Sequence, residues 1–331
     1  MSTASGTGGR PWSGRASATG RQMVTELTRR LRGADSVEES LVWMLGSPRT
    51  GSTWLLNLMR ISPRVVPVDE PAIGTHLGLF SADVMGAHPA GFDKAEPLLM
   101  SAREHDPQYF FCADRADVWR PHLRRLVLAR MESYARDAPA GPARQRPVLV
   151  IKEPTGSQAA GPLLRLLPAS RLLFLLRDGR DVLDSEIDAV QRGGWLADLF
   201  GSEDVMSGDY LVQFARAQAY RWVSRTEYVS QAYDSHDPSR RLLVRYEDLR
   251  SDTAPGLRRI LDWLGLEYRT SELEDHVRRL SFEELPEEQR GRGQFARAAR
   301  PGHWRESLGP EVTAVIEPIM RPTLERFGYP L

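Results

Sequence analysis

The stretch LGSPRTGSTWLLNL, residues 45–58, has the residue types and the spacing of an anion-binding turn. A glycine-rich turn between a strand and a helix points several backbone N–H groups and the positive end of the helix dipole at one spot. Gly46 and Gly51 permit a tight approach, and the guanidinium of Arg49 can fork onto two anionic oxygens. The predicted guest is a phosphate or a sulfate; the alternative is a plain strand-to-helix turn with a surface arginine.

The same stretch departs from the ATP-binding phosphate loop. That loop reads G-x-x-x-x-G-K-[ST], and here Ser52 stands where the lysine should be. An ATP-type loop also brings a second-strand aspartate for magnesium, whereas the second and third apolar runs of this chain end in Lys152 and Arg177. Cations in place of the carboxylate favour an anionic donor bound without metal, and they argue against a kinase or an ATPase.

Four short apolar runs must position these residues, and each is followed by turn residues and a helical pattern. This alternation is typical of a parallel sheet built from βαβ units. The runs are LVWML (41–45), VLVI (148–151), LLFLL (172–176) and LLVRYEDL (from 242). The sequence therefore predicts an α/β fold with the glycine-rich turn at one edge of the sheet.

Two long connections have no parallel-strand pattern. The segment between Pro63 and Pro147 carries a basic helical stretch, HLRRLVLARMESYAR, and residues 192–209 contain GGW and an acidic run. A connection of such length in a compact domain usually covers a site or forms a lid. Both segments are predicted to cover the acceptor side of the site.

Composition limits the class of protein and its partners. The 331 residues include 44 Lys plus Arg and 44 Asp plus Glu, and this zero formal net charge predicts no nucleic-acid or anionic-membrane partner. The single cysteine, Cys112, leaves no intrachain disulfide, and its phenylalanine neighbours predict a buried thiol. No apolar run approaches the ~20 residues of a membrane span, so a soluble cytoplasmic protein is expected. Residues 1–36 predict a disordered leader and a lead-in helix ahead of a single domain over 37–331.

Several separated motifs together resemble the sulfotransferases that use 3′-phosphoadenosine 5′-phosphosulfate (PAPS). GSPRTGSTWL is similar to the 5′-phosphosulfate loop of that family, and LLFLLRDGRDVLDS is similar to its 3′-phosphate motif. LVRYEDL resembles the strand whose tyrosine borders the adenine, and RAARPGHWRESL resembles the end of an arginine- and glycine-rich loop, here 290–302. The motifs keep the family's order and spacing between Leu41 and Tyr329.

This resemblance implies a three-layer, P-loop-like α/β fold, in which a central parallel sheet is flanked by helices and a helical insertion covers the substrate, with variable segments over 64–147 and 191–240. The implied co-substrate is PAPS, with no metal. Arg177 and Ser185 would clamp the 3′-phosphate, and Trp54 and Tyr246 would flank the adenine. The implied donor-binding residues are Arg49, Thr50, Gly51, Ser52, Thr53, Trp54, Arg177, Ser185, Tyr246, Arg297 and Arg300, of which Arg297 and Arg300 are rivals for one 3′-phosphate contact.

Sulfuryl transfer moves an SO3 unit from a phosphate leaving group to an acceptor hydroxyl or amine. By analogy with phosphoryl transfer, catalysis is expected to consist of in-line positioning and of stabilising charge on the leaving oxygen. Arg49 would contact the phosphosulfate bridge, and an arginine cannot lend a proton at neutral pH. Lys152 is therefore the predicted residue that donates to, or bridges, the leaving oxygen; the alternative is a solvated lysine at a strand end.

The general base must come from outside the family's cytosolic pattern. Cytosolic members place a histidine two residues after the lysine, and this chain has Pro154 there. In the tyrosylprotein and bacterial branches a glutamate beyond the phosphate-loop arginine serves as base, and Glu70 lies 21 residues beyond Arg49. Asp69 and His76 are the competing candidates.

The sequence thus predicts a PAPS-dependent sulfotransferase that acts on a small-molecule acceptor with a carboxylate base. One alternative is a P-loop nucleotide kinase or NTPase, which magnesium-dependent ATP turnover would support. Another is a non-catalytic PAPS- or PAP-binding protein, where PAP is adenosine 3′,5′-bisphosphate, the product left by the donor. Retention of Arg49, Lys152 and a candidate base argues against that loss of activity.

Overall fold

A computed structural model of the chain describes residues 37–73, 105–138, 147–191, 194, 207–294, 296 and 298–331. Five parallel strands of this part form one sheet in the order β2-β3-β1-β4-β5. The strands are β1 (Leu41–Leu45), β2 (Val65–Asp69), β3 (Val148–Lys152), β4 (Arg171–Leu176) and β5 (Arg241–Arg245). Because all five run the same way, their carboxyl ends meet at one edge of the sheet.

Helices lie on both faces of this sheet. They are α1 (Ser52–Met59), α2 (Ala116–Asp137), α3 (Ala160–Leu166), α4 (Gly179–Val190), α5 (Gly208–Ser235), α6 (Tyr246–Ser251), α7 (Thr253–Trp263), α8 (Thr270–Arg279), α9 (Trp304–Ser307) and α10 (Pro310–Arg326). Short 3-10 turns lie at Ala113–Arg115, Pro154–Ala159, Pro238–Arg240, Phe282–Glu284 and Glu287–Gln289. The parallel sheet flanked by helices confirms the predicted three-layer α/β fold.

The core consists of two layers separated by the sheet. Alternate residues of each central strand point to opposite faces, so Trp43 belongs to the core layer that includes α2, α3, α4, α5 and α10, while Met44 belongs to the layer that includes α1, α7 and α8. All five residues of β1 are buried. A strand covered on both faces reads as a continuous apolar run, which is why LVWML could be recognised from the sequence.

Strand β2 corrects one expectation, because the sequence indicated no parallel strand between Pro63 and Pro147. Pro67 interrupts the run VVPVD, and a proline in a strand removes a backbone donor. Among the described strands, β2 lies at the edge of the sheet and pairs only with β3. An edge strand tolerates a proline since one side of its ladder has no partner.

Helix α5 lies in the segment predicted only as a cover. Its buried residues include Ala215, Ala219, Trp222 and Val229, and they pack against β4, α4 and α10. This helix therefore forms part of the core, and its Trp222 Nε1 donates to the Arg177 carbonyl oxygen at 3.2 Å.

Some predicted features lie outside the described residues. They are the leader 1–36, the rival base His76, the rival arginine Arg297 and most of the second predicted cover, 192–209. Cys112 is buried, as its phenylalanine neighbours predicted. Within the described part of the chain, no helix is both long enough and apolar enough to cross a bilayer.

Candidate active site

The glycine-rich loop joins β1 to α1 at the carboxyl edge of the sheet, where it is tightly enclosed. Gly46 has a φ of 153°, and a Cβ at this residue would lie 2.0 Å from the carbonyl oxygen of Leu175 on β4. Gly51 has a φ of 85°, and a Cβ there would lie 2.8 Å from the ring of Tyr246. Arg49 also adopts a left-handed conformation, with a φ of 64°. Only glycine fits the two enclosed positions, so the loop geometry depends on both.

The beginning of α1 is open to an anion. Gly51 is its N-cap, and no side chain caps the first turn. Ser52 and Thr50 are buried, and the Thr50 hydroxyl has no hydrogen-bond partner within the described structure. Uncapped N–H groups and an unpaired buried hydroxyl are costly unless a ligand satisfies them. The turn can therefore hold a phosphate or a sulfate as the sequence predicted.

Arginine side chains connect this loop to β4 and α4. Arg49 Nε donates to Ser185 Oγ at 2.9 Å, and Arg177 Nη1 donates to the Arg49 carbonyl oxygen at 2.8 Å. The Arg177 guanidinium also lies over the Tyr246 ring, 4.4 Å from its centroid. Residues from three separated segments of the sequence thus meet at one edge of the sheet.

The neighbouring arginine, and not Arg177, takes the salt bridge that the RDGRD stretch offers. Arg180 is buried and forms a bidentate pair with Asp178, at 2.9 Å through Nε and 2.7 Å through Nη2. Arg177 instead uses its guanidinium on the loop and on Tyr246. This division of roles leaves Arg177 pointing at the candidate anion site.

Two aromatic rings line the site on the other side of the loop. Trp54 and Tyr246 meet edge to face with centroids 6.0 Å apart, and Trp54 Nε1 donates to the Leu280 carbonyl oxygen at 2.9 Å. A cleft of about 500 Å³ lies between α6, which begins at Tyr246, and the Arg/Gly loop 290–302. Residues lining this cleft include Glu247, Arg250, Phe282, Arg290, Ala299 and Arg300.

The cleft places one of the two rival arginines, since Arg300 lies at its wall. The side chain of Arg300 is 56% exposed and pairs with Glu306. Sequence analysis missed Phe282, Arg250 and Arg290; the available signal was an aromatic and a basic residue close to the Arg/Gly loop. Their positions at the cleft depend on loop packing, which no local pattern encodes.

Three aspartates on one face of α4 hold the Arg/Gly loop and α9. Asp181 accepts the backbone N–H groups of Gly302 at 2.7 Å and of Trp304 at 3.1 Å. The other contacts join Asp184 to His303 Nδ1 at 2.9 Å and to Ser307 Oγ at 2.6 Å, and Asp188 to the backbone N–H of Gly293 at 2.8 Å. Because α4 also carries Ser185, the loop and the anion site share one support.

A buried lysine joins the loop to two carboxylates. Lys152 is 5% exposed, and its Nζ lies 3.0 Å from Thr53 Oγ1, 2.8 Å from Asp69 Oδ1 and 2.8 Å from Glu70 Oε1. Burial alone would lower the pKa of Lys152, but the hydrogen bonds and charges of Asp69 and Glu70 outweigh it and raise that pKa. This lysine is an ammonium group held in place, so the alternative of a solvated strand-end residue is wrong.

Glu70 is positioned by the end of β2. Asp69 pairs in register with Lys152, and the Glu70 backbone N–H donates to the Lys152 carbonyl oxygen at 2.8 Å. Glu70 has a φ of 44°, a left-handed conformation that a non-glycine residue rarely adopts. The side chain of Glu70 is 42% exposed, which leaves its carboxylate open to an acceptor.

The family model of the sulfotransferase family matches residues 42–270, more than half of the chain. The chain belongs to the sulfotransferase family. This result confirms the resemblance to PAPS-dependent sulfotransferases that the separated motifs predicted. No curated protein sequence matches this sulfotransferase significantly.

The sulfotransferase is similar to solved structures of other sulfotransferases. The crystal structure of mouse sulfotransferase SULT7A1 complexed with PAP has a TM-score of 0.52 at 12% identity, with 87% of this chain and 85% of that chain covered. Sulfotransferase STF9 from Mycobacterium avium has a TM-score of 0.45 at 18% identity, with 94% of this chain and 83% of that chain covered. At 12% identity the mouse structure supports the fold alone.

The sulfotransferase brings most of its predicted site residues together. The structure collects around one edge of the sheet Arg49, Thr50, Gly51, Ser52, Thr53, Trp54, Glu70, Lys152, Arg177, Ser185 and Tyr246. His76 and Arg297 lie outside the described residues. In the described part of the chain, no group of three or more His, Cys, Asp or Glu residues is arranged to hold a metal ion.

Sequence analysis missed a third carboxyl group close to Lys152 in the sulfotransferase, that of Glu153. Glu153 follows Lys152 and is fully buried. Burial raises the pKa of Glu153 to about 7; nearby backbone N–H groups of Ile73 and Ala72 oppose this rise, and the charge of Glu70 adds to it. Burial therefore favours the protonated form of the Glu153 carboxyl more than water would.

The buried Glu153 should make the stability of the sulfotransferase fall as pH rises from about 4.5 to about 7. The pKa of Glu153 in the folded state lies above the ordinary glutamate value of 4.5, so the folded state holds this proton more tightly than the unfolded state. This difference corresponds to at most about 3 kcal/mol. Glu153→Gln, which never ionises, should unfold at higher urea concentration than wild type at pH 8 and at a similar concentration at pH 5.

Urea denaturation at both pH values tests this expectation. Glu132→Gln is the matched control, because the Glu132 side chain is 60% exposed. This variant should show the same change in urea midpoint between pH 5 and pH 8 as wild type. An equal pH dependence in wild type and Glu153→Gln would contradict the proton assignment.

Proposed function

We propose that this protein transfers a sulfuryl group from PAPS to a hydroxyl or amine of a small-molecule acceptor, by in-line displacement. The observation that carries the proposal is the contact set of Lys152. Its ammonium group lies 3.0 Å from Thr53 of the anion loop and 2.8 Å from the candidate base Glu70. The Lys152 side chain thus connects the proposed binding site of the leaving 5′-phosphate with the proposed binding site of the acceptor.

The donor fits the loop through its two charged ends. The phosphosulfate would occupy the open N–H groups at the start of α1, with Arg49 and the unpaired hydroxyl of Thr50 beside it. The 3′-phosphate would contact Arg177 and Ser185, both of which are hydrogen-bonded to Arg49. PAP in the mouse SULT7A1 structure supports a nucleotide of this kind in a shared fold.

The adenine would lie against the aromatic pair. Trp54 and Tyr246 offer flat apolar surface, and the adjoining cleft provides about 500 Å³ with Phe282 and Arg250 in its walls. Arg300, the one of the two rival arginines that lies within the described residues, lines the same cleft.

In the proposed reaction, the acceptor oxygen forms a bond to sulfur while the bond from sulfur to the 5′-phosphate oxygen breaks. The carboxylate of Glu70 takes the acceptor proton. The electron pair of the broken bond stays on the phosphate oxygen, where Lys152 and Arg49 stabilise the charge. A phosphate with a second pKa of about 6 leaves without a proton at neutral pH. The raised pKa of Lys152 therefore suits charge stabilisation better than proton donation.

Titration calorimetry with PAP, and with ATP in the presence and absence of magnesium, tests the donor assignment. PAP should bind without metal at least tenfold more tightly than ATP, because Arg177 and Ser185 face a 3′-phosphate that ATP lacks. That factor corresponds to about 1.4 kcal/mol, within the range of one charge-assisted hydrogen bond.

Two other outcomes would point to the alternatives. Binding of magnesium-ATP alone would indicate a nucleotide kinase or NTPase. Tight PAP binding, with no sulfuryl transfer from PAPS to a panel of phenols, alcohols, amines and sugars, would favour a non-catalytic binding protein.

A further inference from the structure

The segment 327–330, which follows α10, lies against the beginnings of α4 and α6. Tyr329 is buried, and its hydroxyl donates to Glu247 Oε2 at 3.1 Å. The other oxygen of Glu247 accepts the backbone N–H of Asp178 at 2.8 Å. One carboxylate therefore ties this distant segment to the turn that carries Arg177.

A buried arginine makes a second connection to the same segment. Arg180 is fully buried and donates through Nη2 to the Pro330 carbonyl oxygen at 2.6 Å while it pairs with Asp178. Its guanidinium also lies over the Trp304 ring, 4.3 Å from the centroid. The segment is thus joined to α9 and to the end of the Arg/Gly loop.

Strand β5 provides the third connection. Arg245 Nη1 donates to the Phe327 carbonyl oxygen at 3.0 Å, and its guanidinium lies over the Tyr329 ring at 4.3 Å. Arg245 immediately precedes Tyr246, whose ring lines the proposed donor site.

Two residues of this network are direct neighbours, along the chain, of residues that line the proposed donor site. Asp178 follows Arg177 in the chain, and Glu247 follows Tyr246. A shift of the Glu247 carboxylate would therefore disturb the backbone next to Arg177 and the backbone next to Tyr246 at once. In the part of the network formed by Tyr329, Glu247 and the Asp178 N–H, both carboxylate oxygens have a donor, and a buried polar chain paired in this way is stiff. Burial and the charge of Glu247 raise the pKa of Tyr329, so its hydroxyl stays protonated and donates.

We propose that Tyr329 is a positioning residue of the donor site, which acts through Glu247 and the Asp178 backbone to fix Arg177 for the 3′-phosphate. This inference rests on the proposed function. Tyr329 would not touch the nucleotide itself. It would affect only the part of the PAP affinity that the 3′-phosphate contributes.

Calorimetry with PAP and with adenosine 5′-monophosphate (AMP), which lacks the 3′-phosphate, measures that share as a ratio of affinities. Tyr329→Phe removes only the hydroxyl and should reduce the ratio about tenfold, with AMP affinity nearly unchanged. Tyr268→Phe is the matched control, because the Tyr268 hydroxyl donates to Asp262 at 3.1 Å on an exposed surface. It should keep the full ratio, and both variants should melt within a few degrees of wild type.

The outcomes separate this inference from the proposed function. If wild type shows no preference for PAP over AMP, the proposed donor site fails, whatever Tyr329 does. If wild type prefers PAP and Tyr329→Phe keeps the full ratio, the positioning role is overturned. A loss of affinity for both nucleotides in equal measure would also overturn it, because that pattern reports general loosening.

Glu247→Gln is a second variant in case Tyr329→Phe folds poorly. The amide offers one acceptor oxygen where the carboxylate offers two, so one of its two donors loses its partner. Its ratio should also fall about tenfold. A full ratio in Glu247→Gln would overturn the inference independently.

Discussion

Glu70→Gln is expected to lower the rate of sulfuryl transfer by about 10²- to 10⁴-fold, the usual range for removing a general base. The amide has nearly the shape of the carboxylate but cannot take the acceptor proton. PAP affinity should stay within about twofold of wild type, which corresponds to less than 0.5 kcal/mol. Single-turnover assays with saturating PAPS, together with calorimetry for PAP, separate these two quantities.

Asp69→Asn is a matched control for this prediction. Asp69 and Glu70 both lie 2.8 Å from Lys152 Nζ, and both are partly exposed, at 61% and 42%. If Glu70 served only as an ion-pair partner of Lys152, the two variants would lose equal activity. We expect Asp69→Asn to stay within about tenfold of wild type, because it removes an ion pair and no base. Near-normal turnover in Glu70→Gln would assign the base elsewhere, with His76 as the first candidate.

The sheet could be predicted wherever a strand is buried on both faces. The runs that became β1, β3 and β4 are short, apolar and followed by turn residues, so residue type alone identifies them. Strand β2 carries Pro67, and its edge position, which makes the proline harmless, is visible only once the sheet is assembled. The local sequence of 65–69 argues against a strand, but its edge position in the assembled sheet allows one.

The candidate site shows the same division. Arg49, Lys152 and Glu70 could be nominated because the order of motifs along the chain carries information about the edge of a parallel sheet. The burial of Glu153 could not be predicted, since the sequence KEP at a strand end gives no sign of which side chain turns inward. The hold of Asp181 on the backbone of the Arg/Gly loop depends on a contact 121 residues away. Such contacts follow from packing, and no local spacing records them.

The second large effect is expected at Lys152. Lys152→Met keeps much of the apolar stem but removes the charge that would face the leaving oxygen. Loss of one preorganised electrostatic contact to a developing charge typically costs about 10²- to 10³-fold in rate, and we expect this range for transfer from PAPS. PAP affinity should fall less, because the charge on the bridging oxygen is greatest as the bond to sulfur breaks.

Lys152→Met should also leave the fold intact. The two carboxylates that lose their cation, Asp69 and Glu70, are 61% and 42% exposed, so water can solvate them. Thermal denaturation checks this point before the kinetics are compared.

Lys152→Arg provides the charge-preserving comparison. Its planar guanidinium retains the positive charge but cannot reproduce the point contacts of the ammonium group to Thr53, Asp69 and Glu70. We therefore expect a rate between those of wild type and Lys152→Met. Losses of equal size in PAP affinity and in transfer rate would show that Lys152 only binds the donor. A loss confined to the rate assigns it to the transition state, where the charge on the leaving phosphate develops.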